Sequence, residues 1–433
     1  MTTRRTVLRL AGGIAAGAAG GAMVATSGGC RGNPAQQPAR GGPAPGEALV
    51  VEMAAGALAV VDATTGQTVV NPSAAVLSGD GTRLVRTEGE GTGTRVTNHR
   101  LADGTSVSGG LLADRLAARA TSPDGSLVAL ATPGEPGANP YRPGGRERTT
   151  IVVAGSSGQR NRVELPGNLE PEAFDATGQA LFVLDYLPPK APDRYRVRVV
   201  DLATGEMQPL VTRLKSALPP GAEEEMRGEG RQAVYDSLTR QLFTLYTHQP
   251  EHVHTRDLIA GARPDAPHVH AFVHTLNLTD RWAFCVDLPS PFGEGPAAAH
   301  AIAVDPSGAQ VYVVDATSGT VAVIGSNELT VGRTVRFTPP SGPVGSAAAS
   351  IGTDGGLLIG AGRELISVPL TGAEPVRRTM PTAVRGIATS ADRKRCFIGQ
   401  ENALVCLDLS TGTLGWRIGV PGLETLRQVA ARA

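Results

Sequence analysis

From residue 48 onward the chain repeats one pattern. Short runs carry apolar side chains at alternate positions, and each run ends in a turn rich in Asp, Gly, Ser and Thr. Alternation with a period of two is what a strand with a buried face requires. The clearest copy spans 300–337. It holds four such runs, joined by Asp305-Pro306-Ser307-Gly308, Asp315-Ala316-Thr317-Ser318-Gly319 and Ser326-Asn327. Strands this short at such even spacing predict an all-β fold, a β-propeller of four-stranded antiparallel blades.

The a–b turn of each blade is marked by Asp followed by small turn residues, at Asp80, Asp124, Asp175, Asp236, Asp305, Asp354 and Asp392. Asp bonds to its own backbone and Gly tolerates positive φ, so both suit tight turns. Successive Asp positions lie 38 to 69 residues apart, which places insertions in the middle blades. A second signature, Asp62-Ala-Thr-Thr-Gly66, Asp201-Leu-Ala-Thr-Gly205 and Asp408-Leu-Ser-Thr-Gly412, marks c–d turns. Residues 48–71 supply strands b, c and d of a blade with no strand a. The segment 423–433 forms one strand without a hairpin. Pairing the N- and C-terminal segments would close the ring and remove its free edges. Seven turns plus the closing blade give eight blades. Seven is the alternative, with the weak unit at 73–110 as a decoration.

This repeat resembles the YVTN-type β-propeller family, with Tyr312-Val313-Val314-Asp315 standing where that family has its Tyr-Val-Thr-Asn strand. The resemblance is strong over 300–337, recognisable at 115–130, 172–205 and 383–412, and faint elsewhere. It implies a WD40-like toroid related to quinoprotein amine dehydrogenase heavy chains and bacterial surface propellers. It does not imply one activity, because function resides in sites grafted onto a fold.

The first 46 residues break the strand pattern. Thr3-Arg4-Arg5-Thr6-Val7-Leu8-Arg9 resembles a twin-arginine export signal, and Ser27-Gly28-Gly29-Cys30 resembles a lipobox whose Cys30 would carry lipid. Residues 1–30 read as a lipoprotein signal, 31–46 as a Pro/Gly-rich tether, and 47–433 as the propeller. The expected location is the outer face of the cell membrane, held by the lipid anchor alone; a soluble secreted form is the alternative. Formal net charge is zero, which argues against nucleic acid as a partner. Export permits disulfides. Cys396 and Cys406, with Gln400-Glu401-Asn402 as the turn between them, are expected opposite one another and bridged. Cys285 reads as a packed core thiol.

Candidate chemistry gathers in the insertions. Residues 132–148, 186–194 and 247–267 fall in b–c loops and 212–229 in a d–a loop, so all four emerge on one face. Long loops on a rigid scaffold carry function. Six of the eight histidines lie within 248–274. His248, His252, His254, His268 and His270, with His300 beginning the next blade, form the candidate metal set. Glu251 and Asp257 could add oxygen, and Zn or Cu is the expected ion, Ni a further option. His274, in an apolar run, reads as a core histidine. Glu223-Glu224-Glu225 reads as a solvated surface run. No nucleophile elbow, P-loop, dinucleotide fingerprint or HExxH motif is present. The expected function is therefore a non-enzymatic binding or scaffolding module that holds a protein or envelope component through the inserted face. The alternative is a metal-dependent enzyme, lactonase-like or quinoprotein dehydrogenase-like, or a metal-handling protein built on 248–274.

Overall fold

The computed structural model describes residues 47–134, 137, 142–227, 232–249, 252–261 and 271–431. Arg4, Arg5, Cys30, the tether 31–46, Glu251, His268 and His270 lie outside the described residues. Among the described residues no helix is long and apolar enough to cross a membrane.

Eight four-stranded antiparallel sheets form the propeller. The unit at 73–110 is a full blade, with strands Ala75–Leu77, Arg83–Glu90, Gly93–Arg100 and Ser106–Leu112, so the count is eight and not seven. We number it blade 1. Blades 2 to 7 follow in chain order, and blade 8 combines both chain ends. In blade 8, Leu423–Ala431 pairs with Glu47–Met53, which continues into Leu58–Asp62 and Thr68–Ser73. The closing register runs from Glu47↔Ala431 to Met53↔Leu423.

The marked Asp residues build the turns. Asp80, Asp124 and Asp392 each accept a hydrogen bond from a Ser hydroxyl two residues earlier, at 2.6 Å in all three. That same hydroxyl accepts the first backbone N–H of the next strand, at 2.9 to 3.0 Å. In the c–d turns, Asp62, Asp201 and Asp408 accept the backbone N–H groups two and three residues on, and Gly66, Gly205 and Gly412 take φ near +70°. A side chain at that φ would be strained, which is why these turns end in Gly.

The core lies between neighbouring blades. Trp282 is buried with Phe243, Leu245 and Val286, and Trp416 packs on Phe397 at 5.9 Å. Between blades 3 and 4 the core is aromatic. Tyr186, Tyr195, Tyr246 and Phe272 run in sequence with ring centroids 5.3, 6.2 and 5.2 Å apart. Such contacts fix ring positions in a way that aliphatic packing does not.

The cysteine expectation is corrected. Gln400 pairs with Ala403, so the turn has two residues, Glu401 and Asn402, with Asn402 at φ +54°. A two-residue turn with Asn in the left-handed region suits a hairpin. It moves the register by one, and a one-residue shift exchanges the faces of the sheet. Cys396 pairs with Leu407 and Cys406 with Phe397. Cys396 packs with Leu358 and Ile398, whereas Cys406 packs with Leu49 and Phe397 on the other side. Both thiols are free, and burial pushes both up, Cys396 well above the usual thiol range and Cys406 to about 11.

Candidate metal centre

The four inserted segments emerge on one face, as the pattern predicts: 132–147 and 188–193 between strands b and c of blades 2 and 3, 248–270 likewise in blade 4, and 210–231 between blades 3 and 4. Met226 anchors the last of these. It is fully buried and exchanges backbone hydrogen bonds with Tyr195 of blade 3, at 3.0 and 2.8 Å. The residues before it therefore run extended beside strand Arg194–Asp201, and an extended chain turns successive side chains to opposite sides. Glu223 pairs with Arg196 at 2.5 Å and Arg198 at 2.7 Å, and Glu225 with Arg194 at 2.7 Å. Glu224 between them turns inward.

His252 and His254 approach from the blade 4 loop, just before the short helix Thr255–Ile259. The Nδ1–H of His252 donates to the backbone carbonyl of Glu225 at 3.0 Å, and its ring stacks on Phe272 at 4.3 Å. The Nε2–H of His254 donates to Asp287, whose other oxygen accepts from Arg256. Each ring has thus used its outer nitrogen. The inner pair, His252 Nε2 and His254 Nδ1, face one another at 2.9 Å. Two imidazole lone pairs at that distance repel, so one of the two nitrogens carries a proton; a metal ion in its place would hold them about 3.3 Å apart.

A third donor, Cys285, comes from the last strand of blade 4. Cys285 and Asp287 alternate on strand Ala283–Asp287, and Cys285 stands opposite His274 in the register. The Cys285 thiol donates to Glu224 Oε1 at 3.0 Å, and the backbone N–H of Thr255 donates to Oε2 at 3.0 Å. His274 Nε2 lies 3.5 Å from Glu224 Oε1. One ligating atom from each of Glu224, His252, His254 and Cys285 lies within 4.8 Å of all the others. Tetrahedral zinc with these donors has edges of about 3.3–3.6 Å. Closing the gap takes side-chain adjustments below the length of a bond.

The charges are balanced. Burial alone would push the Glu224 carboxyl up. The hydrogen bond from His254 and the charges of His252 and His274 overcome this and hold it well below its ordinary range. Burial lowers His252 to about 4, despite the attraction of Glu224. His254 is also disfavoured by burial, yet its bonds to Asp287 and Glu224 lift it to about 9. Burial, reinforced by Glu224, raises the Cys285 thiol well above its usual range. Without metal, His254 and Arg256 as cations therefore offset Glu224 and Asp287. Replacing the protons of His254 and Cys285 by one divalent ion leaves that sum unchanged. Beside the donors lies a cavity of about 230 Å³, lined by Glu224, His254, His274 and Cys285 and by apolar side chains of 210–218 and of the short helix.

Of the residues singled out from sequence, His252 and His254 come together. His248 does not join them; its Nδ1 lies 2.9 Å from Thr247 Oγ1 and its φ is +59°. His300 is corrected to a structural role. Fully buried, it donates from Nδ1 to the Pro296 carbonyl at 3.1 Å and accepts the Gly293 N–H at Nε2 at 3.0 Å, leaving no free lone pair. Asp257 sits beside Arg256, outside the group. Sequence reasoning missed Glu224, Cys285 and Asp287, and it placed His274 in the core without its acidic neighbour. The alternation of Cys285 with Asp287, opposite His274, was the available signal.

No family model matches the chain, and no curated protein does. In fold it is similar to three solved propellers. One is the dihydro-heme d1 dehydrogenase NirN in complex with DHE, with TM-score 0.46 and 14% identity, covering 92% of this chain and 77% of that one. Another is the periplasmic gluconolactonase PpgL of Pseudomonas aeruginosa, with TM-score 0.41 and 18% identity, covering 89% and 99%. The third is apo AztD from Citrobacter koseri, with TM-score 0.39 and 13% identity, covering 90% and 99%. The likeness is one of fold and transfers no residue role.

Proposed function

We propose that this propeller binds one divalent transition metal ion between blades 3 and 4, with Zn(II) the best match. The observation that carries the proposal is the inward pair of imidazole nitrogens, His252 Nε2 and His254 Nδ1, 2.9 Å apart. Their outer nitrogens are bound to a backbone carbonyl and a carboxylate, which is how metal-ligating histidines are held. Cys285 and Glu224 complete a sulfur, two-nitrogen, oxygen set suited to zinc. Copper fits the imidazoles but has no need of the Glu oxygen, so zinc is preferred. We prefer this reading to a scaffold without a cofactor because of the buried donor cluster. Elemental analysis of the chain, purified without a histidine tag and equilibrated with zinc, should give one ion per chain. Less than a tenth of an ion would end the proposal.

A second reading keeps the inserted face as a docking surface. Leu214, at the cavity wall, is 90% exposed, and Ile259 beside it is 47% exposed. Apolar side chains so placed suit a protein or envelope partner, with the metal presented at its border. Export through the Arg4-Arg5 signal and anchoring at Cys30 belong to the same proposal. Mass spectrometry of the N-terminal peptide from cells would show diacylated Cys30; an unmodified Cys30 would remove the anchor.

A further inference from the structure

We propose, resting on the metal reading above, that the centre keeps an exchangeable position facing the adjoining cavity. The loaded protein then takes small molecules with an apolar body and an anionic metal-binding head. Purely structural zinc sites are closed by four protein donors, whereas sites that meet ligands retain an open position. Three of the four donors, Glu224, His254 and Cys285, form part of the cavity wall. The rest of that wall is largely apolar, with Leu210, Val211, Leu218, Met226, Ile259 and Phe284. At about 230 Å³ it is smaller than a drug-sized pocket of roughly 300–1,000 Å³.

The donors differ in how firmly they are held. His252 is fixed by its bond to Glu225 and by its stack on Phe272, and His254 by Asp287 and an edge contact to the same ring. Cys285 is set by its strand. Glu224 is on a connection between blades, and its carboxylate has other partners within reach, the Thr255 N–H at 3.0 Å and His274 at 3.5 Å. It can leave the ion without losing every hydrogen bond. An incoming anionic head replaces one carboxylate oxygen, so the charge at the ion is unchanged. An acidic head releases its proton to solvent as it binds. The apolar wall receives the body of the ligand, which adds affinity with each CH2 it buries.

Cobalt(II) in place of zinc makes the centre visible, through d–d bands and a thiolate-to-cobalt charge-transfer band. The chain, loaded with one Co(II), would be titrated with benzohydroxamic acid and, as the head-only control, acetohydroxamic acid. The expected result is a saturable change in the d–d bands with the charge-transfer band retained, and benzohydroxamate binding at least about tenfold tighter. Leu218→Trp, at a half-buried position on the wall, should keep the cobalt spectrum and remove the preference for the phenyl group. Cobalt bound one per chain with bands that neither acid moves would show a closed site and overturn the inference, leaving the metal reading in place. Equal affinity for the two acids would overturn the apolar-body assignment. Loss of the charge-transfer band would mean the acids strip the ion rather than join it, which also overturns the inference. Failure to bind cobalt at all would remove the metal reading beneath it.

Discussion

Blades 4 and 5 each bury histidine close to a carboxylate, yet only in blade 4 do the histidines join a His/Cys/Glu cluster. In blade 5, His300 begins the strand His300–Val304 with Asp315 Oδ2 3.8 Å from its Nε2. Both ring nitrogens are committed to the backbone, one donating to Pro296 and one accepting from Gly293. In blade 4 the backbone and Asp287 occupy one nitrogen of each ring, and the remaining two point at one another. Burial is alike in the two places. What separates a packing histidine from a ligand is the accounting of both nitrogens. Blade 5 closes its b–c hairpin with a tight turn. Blade 4 inserts 248–270 there, and the connection from blade 3 adds Glu224.

The largest effect should come from removing a donor. Cys285→Ala or His252→Ala should reduce zinc from one per chain to near none at micromolar free metal, read by equilibrium dialysis. His300→Ala should keep the full stoichiometry. It should instead lower unfolding stability by about 1–3 kcal/mol, because the Gly293 N–H and Pro296 carbonyl lose their partner, read by chemical denaturation. The reverse pattern would break the comparison.

A smaller effect is expected at Asp287. Asp287→Asn keeps the shape but weakens the hold on His254, and such outer contacts are worth roughly 10–100-fold in metal affinity. A chelator competition would measure it, and an unchanged affinity would show that Asp287 does not support the ligand.

Protons sharpen the contrast further. His254, raised to about 9, and Cys285, raised well above its usual range, both carry protons at pH 7. Zinc must displace both, so about two protons should be released per ion, seen by calorimetry in buffers of different ionisation enthalpy. Affinity should rise with pH, more steeply below about 9, where both protons are displaced, than above it, where only the Cys285 proton is. In the metal-free protein the sign is opposite. A histidine whose folded value exceeds its unfolded value of about 6.5 adds stability below that pH, and the gain fades as pH climbs through about 9. Release of no protons would contradict the donor assignment.

The mildest test is Glu223→Gln. Its pairs with Arg196 and Arg198 align the segment that carries Glu224, and they are partly open to solvent. A loss below about tenfold in affinity is expected, measured by the same competition. Pairs of this kind contribute about 1 kcal/mol or less.

The blades were legible because their turns are local. An Asp followed by small turn residues suffices to mark a blade, and ring closure follows from an incomplete blade at one chain end and a single strand at the other. The hairpin at 400–403 was misread by one residue, because Asn402 takes the left-handed conformation that a two-residue turn needs. That single residue moved Cys396 and Cys406 to opposite faces. The site was legible only in part. His252 and His254 share parity within one loop and could be read. Glu224 lies 28 residues before His252 and Cys285 lies 33 after it, so their meeting depends on blade packing and on the Met226 anchor. Three consecutive Glu residues suggest a solvated run until the extended backbone turns the middle one inward. His300 misled because strand position says nothing about which backbone groups meet its ring.

The most direct measurement is X-ray absorption at the zinc edge, on the chain loaded with one ion and carrying no histidine tag. The account predicts one sulfur near 2.3 Å and nitrogen or oxygen donors near 2.0–2.1 Å, with the outer-shell scattering of two imidazoles. A shell of light atoms without sulfur would contradict it, because Cys285 would then stand apart from the metal.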